Sequence, residues 1–520
     1  MSEADGAAQV PLRRGAIAGL AGSAAATALC GILHTVANAL EFPPLAVAQA
    51  VVRAVSGQVE SFFVQRIGYW GERIAVIGTT AGFLLSGLVL GALVMIASRG
   101  RRPPAAAWVL SLLPAWAVPV AVYPGDPQFV GRWPFAFVTL PIFLVGGAVA
   151  AWAFARMSRP APVTDEGRRQ VLWSIGLGTA GAVLGVSSLG DLLFSRPDPG
   201  SRRLHLSSVT PARTPSPAPG DAAFADIAGL TPEVTSLGKF YVVDESLVDP
   251  VIDPATWRLQ VGGLVSRPMA LTYDSLKSLP AVERFQTLEC ISNQVGGHLM
   301  SNAKWIGVPL NEILDRAGVQ TGRAVEVVFR AAGGYSDSLP IEHAMDDSTL
   351  IAIGMNGHVL PRAHGFPARL LSVGTYGMRN PKWLESIEVI DRPYQGYWEQ
   401  RGWTKRAVVE TESRIDVPTE DAVVGRELEI AGVAFAANRG ISMVEVSTDG
   451  ARTWNPAELK TALGPYTWRL WRYRWTPERP GRYQVAVRAR DGRGRLQTKA
   501  HHEPFPSGAS GYDEIVVTRS

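Results

Sequence analysis

The most informative segment of this 520-residue chain reads Thr287-Leu-Glu-Cys290-Ile-Ser-Asn293-Gln-Val-Gly296-Gly297-His298. Its apolar start and its Ser, Asn and Gly continuation predict a strand that ends near Cys290 and is followed by a loop. A lone cysteine among apolar neighbours is typical of a buried, inert thiol. At a strand end, however, the sulfur can face a cleft and serve as a nucleophile or as a soft metal ligand. A nucleophile would need a positioned base such as His298, whereas a metal ligand would not.

A second segment combines cations with glycine turns. It reads His364-Gly-Phe-Pro-Ala-Arg369 and continues through a glycine-rich stretch to Arg379-Asn-Pro-Lys382. The pattern predicts a short strand around Arg369, bracketed by turns and followed by two more cations. Backbone N–H groups beside arginine and lysine form a site for a phosphate-bearing ligand. A hairpin with solvated basic side chains is the other interpretation of the same pattern.

The region around both segments predicts strands and short helices without strict alternation, which indicates an α+β domain over residues 226–402. The expected strands are Arg258–Val261, Val325–Phe329, Leu350–Ile353, Ala368–Val373 and Ser386–Ile390, and the expected helices are Asn311–Ala317 and Ile341–Met345. From residue 403 onward the pattern predicts only strands, separated by turns such as Asp449-Gly450 and Pro480-Gly481. An all-β sandwich of the immunoglobulin type is therefore expected over residues 403–520.

Charged residues are scarce in the N-terminal part, where the first 195 residues hold 22 of the chain's 96 charged side chains. Apolar segments there reach the roughly 20 residues that an α-helix needs to cross the hydrocarbon core of a membrane. The five segments are Gly15–Leu40, Ile74–Ala97, Ala105–Tyr123, Pro134–Ala155 and Val171–Phe194. Residues 1–195 are therefore predicted to form an all-α transmembrane bundle, which makes this a multi-domain, multi-pass protein of the cell membrane.

Arginines in the short loops set the expected orientation, because positive residues stay on the cytoplasmic side. The basic clusters are Arg13-Arg14, Arg99 with Arg101-Arg102, and Arg156 with Arg159 and Arg168-Arg169. All three clusters lie on the cytoplasmic side of the membrane if the N-terminus is cytoplasmic and five helices cross it. Everything after Phe194 would then be extracytoplasmic. A Pro-rich linker over residues 196–225 would then space the next domain from the bilayer. Arg168 and Arg169 resemble an internal twin-arginine export signal, and an ordinary basic flank is the alternative.

Composition excludes several classes of protein. The net charge of +4 is small and its signs are interleaved, so a nucleic-acid binder with a clustered basic face is not expected. The two cysteines, Cys30 and Cys290, exclude a disulfide scaffold, an Fe–S cluster and a CxxCH haem site in this chain.

Several motifs together resemble one known family. The Cys-Ile-Ser-Asn-x-Val-Gly-Gly run, the approach from Asn356 to Pro361 into His-Gly-Phe-Pro-x-Arg, and Lys382-Trp-Leu are similar to the molybdopterin domain of the sulfite oxidase superfamily. The later motifs Asp449-Gly-x-x-Thr-Trp and Trp468-Arg-Leu-Trp resemble that family's C-terminal immunoglobulin-like domain, often a dimerisation surface, so a homodimer is an expected assembly. The resemblance runs from Phe240 to the C-terminus in the family's order.

The resemblance assigns a role to each matching position. Cys290 corresponds to the thiolate ligand of molybdenum, and is thus the expected catalytic and metal-binding residue. The expected contacts with molybdopterin come from Phe240, Tyr241, His364, Arg369, Asn380, Pro381 and Lys382. A buried dianionic phosphate needs such paired cations and oriented N–H groups.

Departures from the family pattern bear on the substrate. Sulfite oxidases present arginines to their anionic substrate, one of them five residues after the cysteine, where this chain has Val295. Another follows the aromatic pair, where this chain has Val242 and Val243, and the family's active-site tyrosine corresponds to Trp403. Without that cationic pocket, a small oxyanion would lose its hydration with little compensation. Gly333 also replaces a polar cofactor contact that is common among relatives.

The resemblance implies a molybdopterin-dependent oxidoreductase that transfers an oxygen atom to or from a small extracytoplasmic substrate. The departures favour a substrate similar to a sulfoxide or a sulfide over sulfite. The redox chemistry would belong to the cofactor, and single electrons would pass through a separate partner, a cytochrome or a quinol-linked membrane protein. Two alternatives stay open: a cofactor-free, membrane-tethered binding or scaffold protein on a degenerate oxidoreductase domain, and a thiol-dependent enzyme that uses Cys290.

Overall fold

The computed structural model describes residues 3–36, 42–67, 70–99, 101–123, 132–158, 227–244, 246–247 and 249–520, with single positions at 206, 209, 211, 214 and 224. The chain divides into two compact units. The first is Met1–Val55, Tyr69–Pro197 and Asp244–Val248, and the second is Ser56–Gly68, Asp198–Val243 and Asp249–Ser520. The predicted fifth apolar segment, the Arg168-Arg169 pair and most of the predicted linker lie outside the described residues.

Helices make up the described N-terminal part of the chain. They are α1 Glu3–Val36, α2 Pro43–Ala54, α3 Gly57–Ile67, α4 Trp70–Ala97, α5 Ala105–Ser111, α6 Leu113–Val122 and α7 Arg132–Met157. Within the described ranges, four stretches are long and apolar enough to cross a membrane: Leu12–His34, Ile74–Ala97, Ala105–Val122 and Arg132–Met157. These coincide with the first four segments expected from the sequence. Helices α2 and α3 were not predicted from the sequence, because at 12 and 11 residues they are too short to stand out as membrane-spanning segments.

Glycines allow the long helices of the first unit to approach closely. A Cβ at Gly19 of α1 would lie 2.0 Å from the carbonyl oxygen of Gly87 in α4, and one at Gly22 would lie 2.6 Å from that of Gly146 in α7. Apolar helices in a membrane associate by such close backbone packing, because there is little hydrophobic gain between them.

The third apolar stretch is divided at Leu112, where α5 ends and α6 begins. Pro114 is the second residue of α6 and has no backbone N–H to donate to the preceding turn. The missing bond explains why one apolar segment of the sequence forms two successive helices.

Two sheets form the middle of the second unit. One has the order β3-β4-β7-β8, with β9 paired to β7, and the other has the order β2-β1-β10-β5-β6. The strands are β1 Arg258–Gly263, β2 Met269–Thr272, β3 Val282–Glu289, β4 Met300–Pro309, β5 Glu326–Ala331, β6 Ser336–Pro340, β7 Leu350–Met355, β8 His358–Val359, β9 Arg369–Leu371 and β10 Leu384–Ile390. The accompanying helices are α8 Tyr273–Lys277, α9 Leu310–Ala317 and α10 Ile341–Ala344.

Helix α9 illustrates how the sequence builds this core. Leu310, Ile313, Leu314 and Ala317 recur at helical spacing and are all buried. The helix ends at Gly318, whose φ of 69° lies in the left-handed region that favours glycine. Helices and strands thus share one apolar core, as an α+β domain requires.

The C-terminal part of the second unit is all β. One sheet has the order β11-β13-β17-β16 and the other β12-β19-β18-β14-β15. The strands are β11 Glu412–Val417, β12 Ala422–Val424, β13 Leu428–Phe435, β14 Ile441–Ser447, β15 Asn455–Pro456, β16 Glu458–Leu459, β17 Arg469–Trp475, β18 Gly481–Asp491 and β19 Asp513–Arg519. Both sheets contribute to one apolar core, which includes Ile430, Trp471, Val485 and Val517.

The C-terminal region also contacts the strand that leads to Cys290. Thr287 of β3 donates its backbone N–H to the carbonyl oxygen of Tyr466 over 3.0 Å. The N–H of Trp468 donates to the Thr287 hydroxyl, also over 3.0 Å. Strand β3 is the edge of its sheet, so these bonds satisfy backbone groups that would otherwise face outward.

Candidate functional site

Cys290 directly follows the last residue of β3, as the sequence predicted. Only 8% of the Cys290 surface is exposed. Its N–H donates to the carbonyl oxygen of Leu299 over 2.9 Å, and its own carbonyl oxygen accepts from the N–H of Asn293 over 3.0 Å. These bonds close the loop between β3 and β4 at its base. The sulfur is therefore held by fixed backbone on both sides.

Asn293 ties the same loop to two carboxyl groups. Its Oδ1 accepts from the N–H of Leu299 over 2.9 Å. Its Nδ2 donates to Glu289 over 3.4 Å and to Glu412 of β11 over 3.3 Å. Asn293 is 2% exposed, so the amide is satisfied entirely inside the protein.

Arg414 of β11 holds the glycine pair of the loop. Its Nη1 donates to the carbonyl oxygen of Gly297 over 2.7 Å, and its Nε pairs with Asp416 over 2.7 Å. Its Nη2 donates to the hydroxyl of Thr231 over 2.9 Å. The guanidinium is buried, so a C-terminal strand supplies a fixed support for the loop after Cys290.

The surroundings of Cys290 favour protonated groups. Burial raises the pKa of the Cys290 thiol to about 11, hydrogen bonds from Ser292 lower it, and the charges of Glu289 and Glu60 raise it. Burial and the neighbouring Glu412 raise the pKa of Glu289 well above its usual range. Burial also raises the pKa of Glu412. Two acids so close together share a proton.

An aromatic pair connects this end of the site to the second segment. The Tyr241 hydroxyl lies 2.7 Å from the position that a Cβ on Gly377 would take, and the carbonyl oxygen of Glu289 lies 3.2 Å from that same position. The Phe240 ring stacks on Tyr241 with centroids 5.5 Å apart. The Phe240 ring also meets the ring of His364 edge-on at 5.2 Å, and that of Trp305 edge-on at 5.6 Å. The chain of contacts runs from the residue before Cys290 to His364.

The basic end of the site is built around Arg369, the first residue of β9. Its guanidinium donates to the carbonyl oxygens of His364 and Asn380, each over 3.2 Å, and lies 5.4 Å from the centroid of the Trp305 ring. Lys382 donates to the carbonyl oxygen of Ala363 over 2.8 Å. The two cations therefore gather around the turn that carries His364.

Asn380 and Pro381 shape that turn. The Asn380 Oδ1 accepts from the N–H of Ser372 over 2.6 Å, and its Nδ2 donates to the carbonyl oxygen of Tyr376 over 3.0 Å. The carbonyl oxygen of Pro381 accepts from the N–H of Leu370 in β9 over 2.9 Å. The segment before Lys382 is thus fixed against the strand that carries Arg369.

His364 is a neutral imidazole in this setting. Burial, together with the charges of Lys382 and Arg369, lowers its pKa to about 3. Its Nε2 lies 3.3 Å from the carbonyl oxygen of Leu237, which assigns the proton to that nitrogen. The ring can therefore contact an aromatic or heterocyclic ligand without adding a third charge.

The side chains at the two ends fit a phosphate-bearing pterin that carries a metal. A soft sulfur stands at one end, and a neutral ring with two cations stands at the other. The aromatic pair Phe240-Tyr241 lies between them. A chain of contacts thus links the cysteine loop, through Tyr241 and Phe240, to the turn that carries His364, Arg369 and Lys382.

Arg379, which the sequence placed beside Lys382 as a further cation, has a different function. It pairs with Glu399 over 2.9 Å and with Asp337 over 3.8 Å, and also donates to the carbonyl oxygens of Ser338 and Lys405. Arg379 is 3% exposed, so it is part of a buried ion-pair network that stabilises the fold. Both of its Nη atoms are engaged by these partners.

The positions that depart from the family pattern are apolar or backbone positions here. Val242, Val243 and Val295 are half-buried. Trp403 is 5% exposed, and its ring meets that of Phe505 edge-on at 5.2 Å. Gly333 lies between β5 and β6 with a φ of 94°, so it serves the turn and has no side chain to offer.

The sequence analysis missed the groups that reach the cysteine loop from elsewhere in the chain. These are Glu412 and Arg414 of β11, and Glu60 of α3. No local motif marks any of them, because Glu412 and Arg414 bond to residues more than 100 positions away, and Glu60 acts on Cys290 through its charge from a similarly distant position.

Known proteins with similar sequences carry the same kind of domain. The family described as Oxidoreductase molybdopterin binding domain matches residues 246–398. The uncharacterized oxidoreductase YuiH of Bacillus subtilis is 32% identical over 154 residues, which cover 30% of this chain and 75% of that protein. The mitochondrial sulfite oxidase of Homo sapiens is 30% identical over 289 residues, 46% of this chain and 53% of the relative. The chain thus spans about half the length of that relative.

Among solved structures, the sulfane dehydrogenase SoxCD from Paracoccus pantotrophus is similar over 52% of this chain and 75% of that chain, with 24% identity and a TM-score of 0.48. The sequence matches define a molybdopterin-binding oxidoreductase domain in the middle of the chain. The chain belongs to the sulfite oxidase superfamily.

Proposed function

We propose that this protein is a membrane-anchored, molybdenum-cofactor-dependent oxidoreductase that transfers an oxygen atom to or from a small neutral sulfur compound. The observation that carries the proposal is the chain of contacts from the cysteine loop through Tyr241 and Phe240 to His364 and Arg369. It joins a soft metal ligand to an anion-binding end within one domain.

The residues have distinct tasks in this proposal. Cys290 would supply the protein's sulfur to molybdenum, and binding of the metal would replace the thiol proton. Arg369 and Lys382 would hold the phosphate, His364 and Phe240 would contact the pterin, and Asn380 and Pro381 would keep the turn in place. When bound, the cofactor supplies a two-electron exchange in which a sulfoxide, two electrons and two protons give a sulfide and water, or the reverse.

The proposed substrate follows from charge. The three positions Val242, Val243 and Val295 offer no cation, and Trp403 offers an indole in place of a phenol. Desolvation of a small dianion is strongly unfavourable without paired positive groups, whereas a neutral sulfoxide or sulfide loses much less hydration. A substrate similar to a sulfoxide or a sulfide is therefore proposed over sulfite.

The environment of Cys290 disfavours the rival thiol-dependent enzyme. A nucleophilic cysteine needs a lowered pKa or an adjacent base, but here burial raises the thiol pKa to about 11. The side chain of His298, the nearest histidine in sequence, is exposed. A metal ligand is free of this requirement, because the metal itself displaces the proton.

The membrane and partner parts of the proposal rest on the apolar helices and on the family. Five apolar segments, four of them within the described residues, would anchor the chain. Because five is an odd number of crossings, a cytoplasmic N-terminus would place the second unit outside the cell membrane. A cytochrome or a quinol-linked protein would exchange electrons with the cofactor. The two C-terminal sheets would form the immunoglobulin-like sandwich that pairs two chains in a homodimer.

The test is turnover by the full chain, purified in detergent from a host that makes the molybdenum cofactor. With an artificial electron donor, the proposal predicts reduction of a neutral sulfoxide and little oxidation of sulfite with an artificial acceptor. Efficient sulfite oxidation would contradict the substrate assignment. A preparation without molybdenum and without either activity would favour the cofactor-free binding protein.

A further inference from the structure

Helix α3 belongs to the second unit, although its neighbours in sequence belong to the first. Residues Ser56–Gly68 are part of the unit that contains Cys290, whereas α2 and α4 are part of the helical unit. A segment between two apolar N-terminal helices therefore contributes to the oxidoreductase part of the protein.

Close packing holds α3 in place. A Cβ on Gly57 would lie 2.5 Å from Nε1 of Trp403 and 2.9 Å from the carbonyl oxygen of Arg401, so only glycine fits there. Ser61, one turn later, is 2% exposed and accepts a hydrogen bond from Nε2 of Gln65 over 2.9 Å. At Gly57, α3 therefore packs against Trp403, the residue expected at the position of the family's active-site tyrosine.

Glu60 lies on this side of the helix, three residues after Gly57. Its Oε2 is shielded from solvent. Its charge acts on Cys290, where it is one of the causes that raise the pKa of the thiol. The opposite face differs, because Val59, Phe62 and Phe63 are exposed there. Glu60 is thus an acidic group on the side of α3 whose Gly57 packs against Trp403, close enough to Cys290 for its charge to raise the pKa of the thiol.

We infer that Glu60 is a specificity-determining residue of the substrate site, where its carboxylate excludes anionic substrates and favours neutral or cationic ones. The inference rests on the proposed function for the identity of the reaction. Valines stand at the two places where the relatives resembled by this chain present arginines, namely Val295 and the pair Val242-Val243, and Glu60 adds a negative charge. Like charges in a partly buried site repel strongly, since solvent screens them little.

The decisive experiment compares two alkylating reagents of similar size and different charge on the protein without its cofactor. The full chain carries Cys30→Ser, which leaves Cys290 as its only thiol. Rates of modification are measured with neutral iodoacetamide and anionic iodoacetate, and their ratio cancels the thiolate fraction. Glu60→Gln should raise the relative rate with iodoacetate about 3- to 10-fold, and Glu60→Lys should raise it further.

Gln58→Glu is the matched control, because it places a carboxylate on the exposed side of the same helix. It should leave the ratio within about 2-fold of the parent protein, since exposed charges are screened. An unchanged ratio in both Glu60 variants would overturn the inference. Failure of the parent thiol to react with either reagent would overturn it as well, because a substrate site must admit small neutral molecules to the sulfur.

A second measurement on the cofactor-loaded enzyme separates this inference from the proposed function. In Glu60→Lys, the ratio of kcat/KM for sulfite to kcat/KM for a neutral sulfoxide should rise, mainly through a lower KM for sulfite. If the loaded enzyme turns over neither substrate while the alkylation ratio shifts as expected, the proposed function fails and the electrostatic role of Glu60 stands. If turnover is normal and both ratios are unchanged, only the role of Glu60 fails.

Discussion

The two ends of the candidate site differ in charge and in the part of the fold that supports them. Near Cys290 the neighbouring groups are carboxyls, namely Glu289, Glu412 and Glu60. Around His364 the neighbouring groups are the cations of Arg369 and Lys382. A single ligand that spans both ends must therefore present a metal centre to an acidic, thiol-bearing environment and an anion to a basic one.

Their supports differ as well. The basic end is held within the α+β domain, where carbonyl oxygens of His364, Asn380 and Ala363 accept from the two cations. The cysteine loop relies on Arg414 and Glu412 of the C-terminal region. The difference indicates that the C-terminal sheets contribute to the geometry of the cysteine loop, in addition to any role in assembly.

The largest expected effect comes from Cys290→Ala. Removal of the sulfur should abolish turnover, because molybdenum loses its only protein ligand in the proposal, even if part of the pterin stays bound. Measurement of sulfoxide reduction by the purified full chain checks this. Cys30→Ser, in the other unit, is the control and should retain turnover; activity in Cys290→Ala above a few per cent would contradict the assignment.

Arg369→Gln should weaken retention of the cofactor at the opposite end. A hydrogen bond to a charged group contributes about 1.5–3 kcal/mol, which corresponds to a roughly 10- to 100-fold loss of affinity. The pterin content of the purified protein, measured by fluorescence after oxidation, reports it. Arg330→Gln is the control, since this exposed arginine pairs with Glu388 at the surface and should matter little.

Arg414→Gln should loosen the cysteine loop from the C-terminal side. The substitution removes a buried partner of Asp416 and a donor to Gly297, and we expect the free energy of unfolding to fall by about 3 kcal/mol. Denaturant unfolding measures the loss of stability. Faster alkylation of Cys290 in the cofactor-free protein would show that the cysteine loop has loosened. Arg474→Gln is the control, because Arg474 pairs with Glu429 at the surface, and it should change neither the free energy of unfolding nor the alkylation rate of Cys290. An equal response of both variants would contradict the idea that Arg414 supports the cysteine loop.

The smallest expected effect is a displaced pH profile for Cys290. Its pKa in the folded protein lies at about 11, above the ordinary 9.0, so the thiol keeps its proton across pH 9–11. Folding stability that depends on this thiol should be complete below pH 9 and decline as the pH rises toward 11. Iodoacetamide modification of the cofactor-free Cys30→Ser protein should accelerate with a midpoint near that value; a midpoint below about 8 would support the thiol-dependent enzyme instead.

Local patterns predicted much of the fold. The strands expected at Arg258–Val261 and Leu350–Ile353 lie within β1 and β7. Buried and exposed residues alternate along the first part of β1, and all residues of β7 are buried, so both patterns could be recognised in the sequence. Strand β4 was not predicted, because it carries polar residues such as Asn302, whose side-chain amide donates to the distant carbonyl oxygen of Glu233. Helix α3 was missed for a similar reason, since its Gly57 is buried against Trp403 and Arg401, far along the chain.

The residues of the candidate site likewise divide into those marked by a local motif and those whose role depends on distant partners. Cys290, His364 and Arg369 stand in local motifs, so the sequence could single them out. Arg379 stands in one as well, but its buried acids Asp337 and Glu399 belong to other segments. A sequence motif reports which residue types are present, whereas the partner that neutralises a charge is fixed by tertiary structure.

The most direct test of the account is the ratio of molybdenum and of pterin to protein in the full chain, purified from a host that makes the cofactor. The account predicts one of each per chain in the unaltered protein, a greater loss of metal than of pterin in Cys290→Ala, and a joint loss of both in Arg369→Gln. Unaltered protein without molybdenum and pterin, or full retention of both in Arg369→Gln, would contradict it.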